Sequence, residues 1–428
     1  MKFLNQLAAI LILTLISSSC EYSGKKSIYP TNLRCENLEN PIAIDFAIPL
    51  LSWNMESTER GQIQFAYQIL VSGSKDKLDK NIGDYWDSGK IESDISVNIK
   101  YAGKALESRD VLYWKVKIWS ADGEESTWSE TSKWEMSFLI QTDWQAKWIG
   151  ISEDKDPFST KTNPAPFFRK EIDIQQNIKS AKVYVSGLGY YELYVNGHKV
   201  GDEVLAPAQT NYDKRALPKL LYHYDDQSTT RVFYNTFDVT ILLKKGQNAM
   251  GVILGNGWYN QRDRDVEGDL WYATPRLICQ LEIEYTNGKK EVVTSNKDWK
   301  VNTGPILHDG IFTGEVYDAR LEMNGWNSPG FNDRDWKPAE LVRAPTGKME
   351  SQLAPPDKLV RTFKPASISA EEDGSIVVDA GEMISGWVRL RINEKSGQEI
   401  SMLFIEEMGN SYGQKDVYIS KGGGDEIG

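Results

Sequence analysis

Carboxylates are the most plentiful chemical resource of this 428-residue chain, with 61 Asp and Glu against 49 Lys and Arg and a formal net charge of -12. Paired carboxylates can serve as general acid and base, provided the fold sets them across a substrate. Glu406-Glu407 and Asp225-Asp226 are adjacent in sequence, and adjacent residues of a strand point to opposite faces. Neither pair reads as catalytic. Asp263-x-Asp265-x-Glu267-Gly268 has the alternating oxygen ligands and sixth-position Gly of the first half of a calcium loop. Position twelve is Thr274 instead of a bidentate Glu, and no helical pattern flanks the segment, so it reads as a solvated acidic loop. His198, His223 and His308 are too scattered for a His-rich zinc site. Cys35 and Cys279 can pair, but cysteines this far apart are more often free and buried. The negative charge and the lack of a Lys/Arg block argue against a nucleic-acid partner.

The remaining cysteine, Cys20, belongs to a targeting segment. Lys2 supplies a positive start, and Leu7 to Ile16 is an apolar run too short to span a bilayer. Ser17-Ser-Ser-Cys20 then resembles a lipobox, with Ser17 standing where an aliphatic residue is usual. Residues 1–19 read as a lipoprotein signal peptide, Cys20 as the lipidation site and 20–28 as a tether. A plain secretory signal cleaved nearby is the alternative. On the lipoprotein reading the membrane is reached only through the N-terminal lipid anchor.

The elements that would position any site are strands. Forty per cent hydrophobic residues suffice for ordinary cores. Gln64 to Val71 and Val111 to Trp119 alternate with period two, and Leu112, Trp114, Val116 and Ile118 share the apolar face of the second run. Length and strand count from 29 to 143 fit a fibronectin-III-like sandwich. Beyond it, Tyr190 to Val195 is followed by Asn196-Gly197, a strong hairpin signal. Tyr191, Leu193 and Val195 face one way and Tyr190, Glu192 and Tyr194 the other, so the hairpin is expected to be covered on both faces or to line a groove. Asn287-Gly288 predicts a second hairpin between Leu277–Tyr285 and Glu291–Thr294. Val239 to Lys245 suggests a short helix capped by Asp238. Leu205 to Thr236 reads as a long irregular connection. Residues 344–356 read as a Pro-rich linker. After it, Ser375–Asp379, Gly386–Ile392 and Glu399–Ile405 are strands that either dock on the preceding sandwich or begin an incomplete one.

Several segments, in order, resemble one family. Ser186 to Gly197, Asp202-Glu-Val-Leu-Ala-Pro207, Thr210-Asn-Tyr-Asp-Lys-Arg215 and Gly251-Val-Ile-Leu-Gly-Asn-Gly-Trp-Tyr259 look like the second domain of bacterial α-L-rhamnosidases, glycoside hydrolase family 78. So do Asp309-Gly-Ile-Phe-Thr-Gly-Glu-Val-Tyr-Asp-Ala-Arg320 and Gly325-Trp326, and Asp379 to Trp387 looks like the start of the next sandwich. One departure is Glu382-Met383, where the family usually has Gln-Asn. The resemblance implies an all-β chain of tandem β-sandwiches. Residues 29–143 would be the fibronectin-III-like domain and 144–343 the jelly-roll-like N-terminal rhamnosidase sandwich. Residues 357–428 would be the truncated start of a third, incomplete β-sandwich.

The resemblance further implies a hydrolase acting on terminal α-L-rhamnose of glycans or glycosides, in the cell envelope of a Gram-negative bacterium. The family keeps its two catalytic carboxylates in a downstream (α/α)6 barrel. The barrel's Asp-Cys-Pro-Gln-Arg-Asp-Glu-Arg type of motif does not occur here, so no catalytic residue is assigned and the chain alone is expected to be inactive. Some relatives of the second domain bind a rhamnose-type sugar beside calcium. On that implication Asp202, Glu203, Asn256 and Trp258 are the substrate-binding candidates. Carboxylates and amides hydrogen-bond sugar hydroxyls, and an indole offers an apolar face to a pyranose. Equally, Trp258 can be a packing residue and Asn256-Gly257 a turn. No cofactor is required, and Ca2+ is the one metal the resemblance allows. A stand-alone carbohydrate-binding lipoprotein and a non-catalytic scaffold are the alternatives.

Overall fold

The computed structural model describes residues 28–151, 164–213, 230–260, 272–405 and 413–427. The leader and Cys20, His223, Asp225-Asp226, the acidic loop 263–268 and Glu406-Glu407 lie outside the described residues. The chain divides into two compact units. One comprises Met1–Pro41, Ala47–Leu106 and Asp110–Glu135, and the other Ile42–Phe46, Glu107–Arg109 and Met136–Gly428.

The first unit is a β-sandwich. One sheet pairs Ile28–Cys35, Leu50–Ser57 and Ile99–Lys100, while the other pairs Trp86–Asp87, Gln64–Ser72, Val111–Ser120 and Ser132–Glu135, with Ile91–Glu92 added on Gln64–Ser72. Alternation along Val111–Ser120 buries Leu112, Trp114, Val116 and Ile118 completely. Burying such a side chain contributes about 1.5–3 kcal/mol. The core also needs polar partners, and the Trp53 indole N–H donates to Gln64 Oε1 at 3.0 Å. Lys115 lies on the other face yet is buried as well. Its ammonium donates to Asn81 Oδ1 and lies over the Trp128 ring, and burial lowers its pKa.

The second unit is built on a larger sandwich. Its first sheet runs His198–Lys199, Tyr190–Val195, Gly246–Gly255, Pro166–Ile174, Lys300–Thr303, Lys337–Pro338. Its second runs Glu340–Leu341, Ile149–Gly150, Arg276–Tyr285, Ile178–Leu188, Arg231–Asp238, Lys348–Ser351, with Lys290–Thr294 on Arg276–Tyr285. Phe168, Val183, Leu193, Val252, Leu281 and Trp299 meet in the core between them. Asn196 and Gly197 both have positive φ, 51° and 85°, as a two-residue I′ turn requires. The hairpin is covered on both faces. Tyr191, Leu193 and Val195 enter the core, while Tyr194 packs edge-on against Trp326 at 5.7 Å. At Asn287-Gly288 only Gly288 has positive φ, so this hairpin closes by a turn with a glycine bulge.

Three local expectations change. The short helix is a 3-10 turn, Thr240–Leu242, opened by Asp238 Oδ1 accepting from the Thr240 amide. The Leu242 amide donates to the Val239 carbonyl at 3.0 Å, and the next strand begins at Gly246 before an α-helical turn can continue. The irregular connection ends earlier than Thr236, because Arg231–Asp238 is a strand of the second sheet. The linker contains a strand as well: Lys348–Ser351 pairs in parallel with Arg231–Tyr234, and Asp45 Oδ2 accepts from the Ser351 amide at 2.7 Å. A strand edge leaves backbone donors and acceptors open, and this segment satisfies them.

After residue 357 the strands divide. Glu399–Leu403 and Lys415–Ile419 dock on the hairpin Ile306–Gly310 and Gly314–Asp318 to form a four-stranded sheet. Ser367–Ala370 and Ile376–Asp379 form a hairpin on their own, with every residue exposed. Of Gly386–Ile392, only Arg391–Ile392 is a strand.

Candidate functional site

Asn256 ends the Gly246–Gly255 strand and is 2% exposed. Its backbone amide donates to Asp309 Oδ1 at 2.6 Å, and its Nδ2 donates to the Asp309 carbonyl at 2.9 Å and to Oδ2 at 3.1 Å. Its Oδ1 accepts from Asn260 Nδ2 at 2.6 Å. The amide is therefore committed to fixing the 256–260 turn against the 306–310 strand, not to solvent. The turn also needs its glycines. A Cβ on Gly189 would stand 2.0 Å from the Gly255 carbonyl oxygen, and one on Gly257 would stand 2.8 Å from the Gly189 carbonyl carbon.

That turn presents Trp258, which is half-buried. Its ring meets Phe312 edge-on at 5.4 Å. Beside it, burial pushes the Tyr190 hydroxyl pKa up to about 12, with the nearby Asp357 charge adding to the rise and Trp258 opposing it. Asp357 pairs with Val204 and Lys358 with Glu203. Asp202 is exposed and ion-paired to Lys358 at 2.8 Å, a hydrogen bond that holds its carboxyl below the ordinary range. Glu203 is half-buried, and its Oε2 is enclosed without a hydrogen-bond partner among the described residues. The four candidates thus form two patches, Asp202–Glu203 and Asn256–Trp258, with no direct hydrogen bond between them among the described residues; Tyr190 feels both Trp258 and Asp357, the latter paired with Val204 beside Glu203.

Sequence reasoning missed Asp309, Phe312, Tyr190 and Glu315. The only signal was their place in the family-like segments. Asp309 and Glu315 face each other across a hairpin, and Asp416 Oδ1 accepts from the Glu315 amide at 2.8 Å. Glu315 keeps solvent exposure as a residue, yet the protein around its carboxyl desolvates it. With the charges of Asp309, Asp416 and Glu192 added, its pKa is pushed up to about 7. Among the described residues no group of three or more His, Cys, Asp or Glu side chains is arranged to hold a metal ion, so nothing in this geometry selects Ca2+.

Fold and site together define a tandem β-sandwich protein with an aromatic, carboxylate-rimmed surface on its second sandwich. The family follows from comparison. Residues 30–140 match the Rha78A-like N-terminal immunoglobulin domain, 176–361 the α-L-rhamnosidase N-terminal domain and 369–427 the bacterial α-L-rhamnosidase concanavalin-like domain. An α-L-rhamnosidase of Formosa agariphila is 34% identical over 465 aligned positions, covering 100% of this chain and 47% of the relative. The structure of α-L-rhamnosidase from Dictyoglumus thermophilum matches with a TM-score of 0.83 and 37% identity, over 93% of this chain and 45% of that one. That of Aspergillus terreus α-L-rhamnosidase matches with a TM-score of 0.79 and 28% identity, over 94% and 45%. The chain belongs to the α-L-rhamnosidase family and corresponds to the N-terminal portion of its members. It spans about half the length of the curated relatives it matches.

Proposed function

We propose that this chain is the non-catalytic N-terminal part of an enzyme that hydrolyses terminal α-L-rhamnose from glycans or glycosides. The observation that carries this reading is the ordered run of three rhamnosidase-family matches along it. Glycoside hydrolysis needs an acid and a second carboxylate set on either side of a scissile bond. Among the described residues the only helices are Lys75–Asp79 and three 3-10 turns, so the (α/α)6 barrel expected to carry that pair is not among them. On this reading the chain alone is expected to be inactive, and detectable turnover of an aryl α-L-rhamnoside by purified residues 21–428 would overturn it.

A second reading gives the chain a binding role of its own. The half-buried Trp258, supported by Phe312 and Tyr190, leaves part of an aromatic surface for a sugar ring. Asp202 and Glu203 supply acceptors for hydroxyls from the neighbouring patch, and Asn256 acts by positioning the turn. Calorimetry with L-rhamnose, run with and without Ca2+, tests it; no heat under either condition counts against it. The anchoring of the chain in a Gram-negative envelope rests on Cys20. Retention of a radiolabelled fatty acid by the wild type, and its loss in Cys20→Ala, is the expected outcome.

A further inference from the structure

We propose that the four-stranded sheet of Ile306–Gly310, Gly314–Asp318, Lys415–Ile419 and Glu399–Leu403 is a pH-sensitive joint, closed while Glu315 is protonated and loosened when it ionises. The sheet joins two family segments. The first two strands lie in the part matching the rhamnosidase N-terminal domain, and the last two in the part matching the concanavalin-like domain. The link is the parallel pairing of Val316, Tyr317 and Asp318 with Val417, Tyr418 and Ile419. The backbones also pack tightly at Gly314, where a Cβ would stand 2.2 Å from the Lys415 carbonyl oxygen.

Carboxylates converge there from each neighbouring element. Asp309 is directly opposite Glu315 across the antiparallel pair, and like charges at such positions destabilise a sheet. Asp416 comes from the parallel partner strand and accepts from the Glu315 amide. Glu192 acts from the Tyr190–Val195 strand, its charge partly offset by Lys199 at 2.6 Å and by the Tyr194 hydroxyl. Tyr317, the next residue but one, is itself raised by burial and feels the Glu315 charge. Among the described residues the charges acting on Glu315 are all acidic.

Burial first, and these charges second, raise the Glu315 pKa from 4.5 to about 7. A carboxyl whose folded pKa is raised contributes stability that is full below its unfolded value and is lost as pH climbs through the folded one. The joint is therefore tight below about pH 4.5 and loosens as pH rises through about 7. Solvent screening at this exposed residue keeps the effect well below the full linkage value.

Hydrogen–deuterium exchange on the whole chain tests this, with rates corrected for intrinsic exchange. Protection of Lys415–Ile419 should fall several-fold between about pH 5.5 and about pH 8.5 in the wild type. In Glu315→Gln it should stay at the acid level throughout. An equal fall in Glu315→Gln, or no fall in the wild type, overturns the proposal. Should the variant fail to fold, carbon-13 titration of the wild-type Glu315 carboxyl decides. A midpoint near 7 supports the joint, and one near 4.5 overturns it.

Discussion

Asn256 makes its hydrogen bonds inside the protein, to Asp309 and Asn260. Asn256→Ala would leave polar atoms of both without that amide, so a loss of about 2–4 kcal/mol is expected. Urea unfolding followed by Trp fluorescence measures it, and a change under about 0.5 kcal/mol would mean the amide is dispensable. Trp258 should behave oppositely. Its edge contact with Phe312 is worth about 0.5–1.5 kcal/mol, so Trp258→Ala should lower stability modestly. If the sugar reading holds, the same variant loses calorimetric binding of L-rhamnose; retained binding would leave Trp258 as a packing residue only.

At the scale of elements, two devices hold the candidate surface in place. One is the contact between the strand end at Gly189 and the turn at Gly257. Gly189 has a φ of 103°, and a methyl there meets a backbone carbonyl. Gly189→Ala should therefore cost upwards of about 2 kcal/mol, read as a lowered unfolding midpoint. The other is Arg169, buried on the Pro166–Ile174 strand. Its guanidinium donates to the Trp326 carbonyl at 2.8 Å, the Ser328 carbonyl at 3.1 Å, Glu171 at 2.8 Å and Asp333. These bonds tie the 326–333 segment over the outer face of the first sheet, where Phe167, Trp326 and Trp336 cluster. Arg169→Met should cost about 3–5 kcal/mol, because Asp333 keeps only Lys300 and two carbonyls lose their donor. Exchange protection lost first at 326–336 would locate the damage.

For the whole molecule, the main feature is the uneven cover of apolar groups. Both sandwiches bury their cores, yet Val360 and Met383 are each 94% exposed and Trp387 is 58% exposed. Ile368, Ile376 and Val378 of the lone hairpin are exposed as well. Exposed apolar area of this kind mediates association or binds apolar probes. The folded chain should accordingly enhance the fluorescence of an anilinonaphthalene dye, and a Val360→Ser, Met383→Ser variant should enhance it less. Absence of dye binding by a monomer would show that the face is covered in solution.

Period-two alternation and the Asn-Gly turn made the β character and the hairpin at 196–197 legible in the sequence, since both depend on neighbours within a few residues. The buried face of Val111–Ser120 was legible for the same reason. Ordered segments such as Gly251 to Tyr259 carried the family resemblance, because motif order survives without coordinates. The use of Asn256 was not legible. An amide reads the same whether it meets a sugar or Asp309, and only the approach of a strand more than fifty residues away decides between them. The strand at Lys348–Ser351, hidden in a Pro-rich segment, likewise exists because a sheet edge more than a hundred residues earlier offers it hydrogen bonds. The raised carboxyl of Glu315 belongs to this second kind. Its pKa is a property of burial and of charges from three separate strands, and no local pattern encodes that convergence.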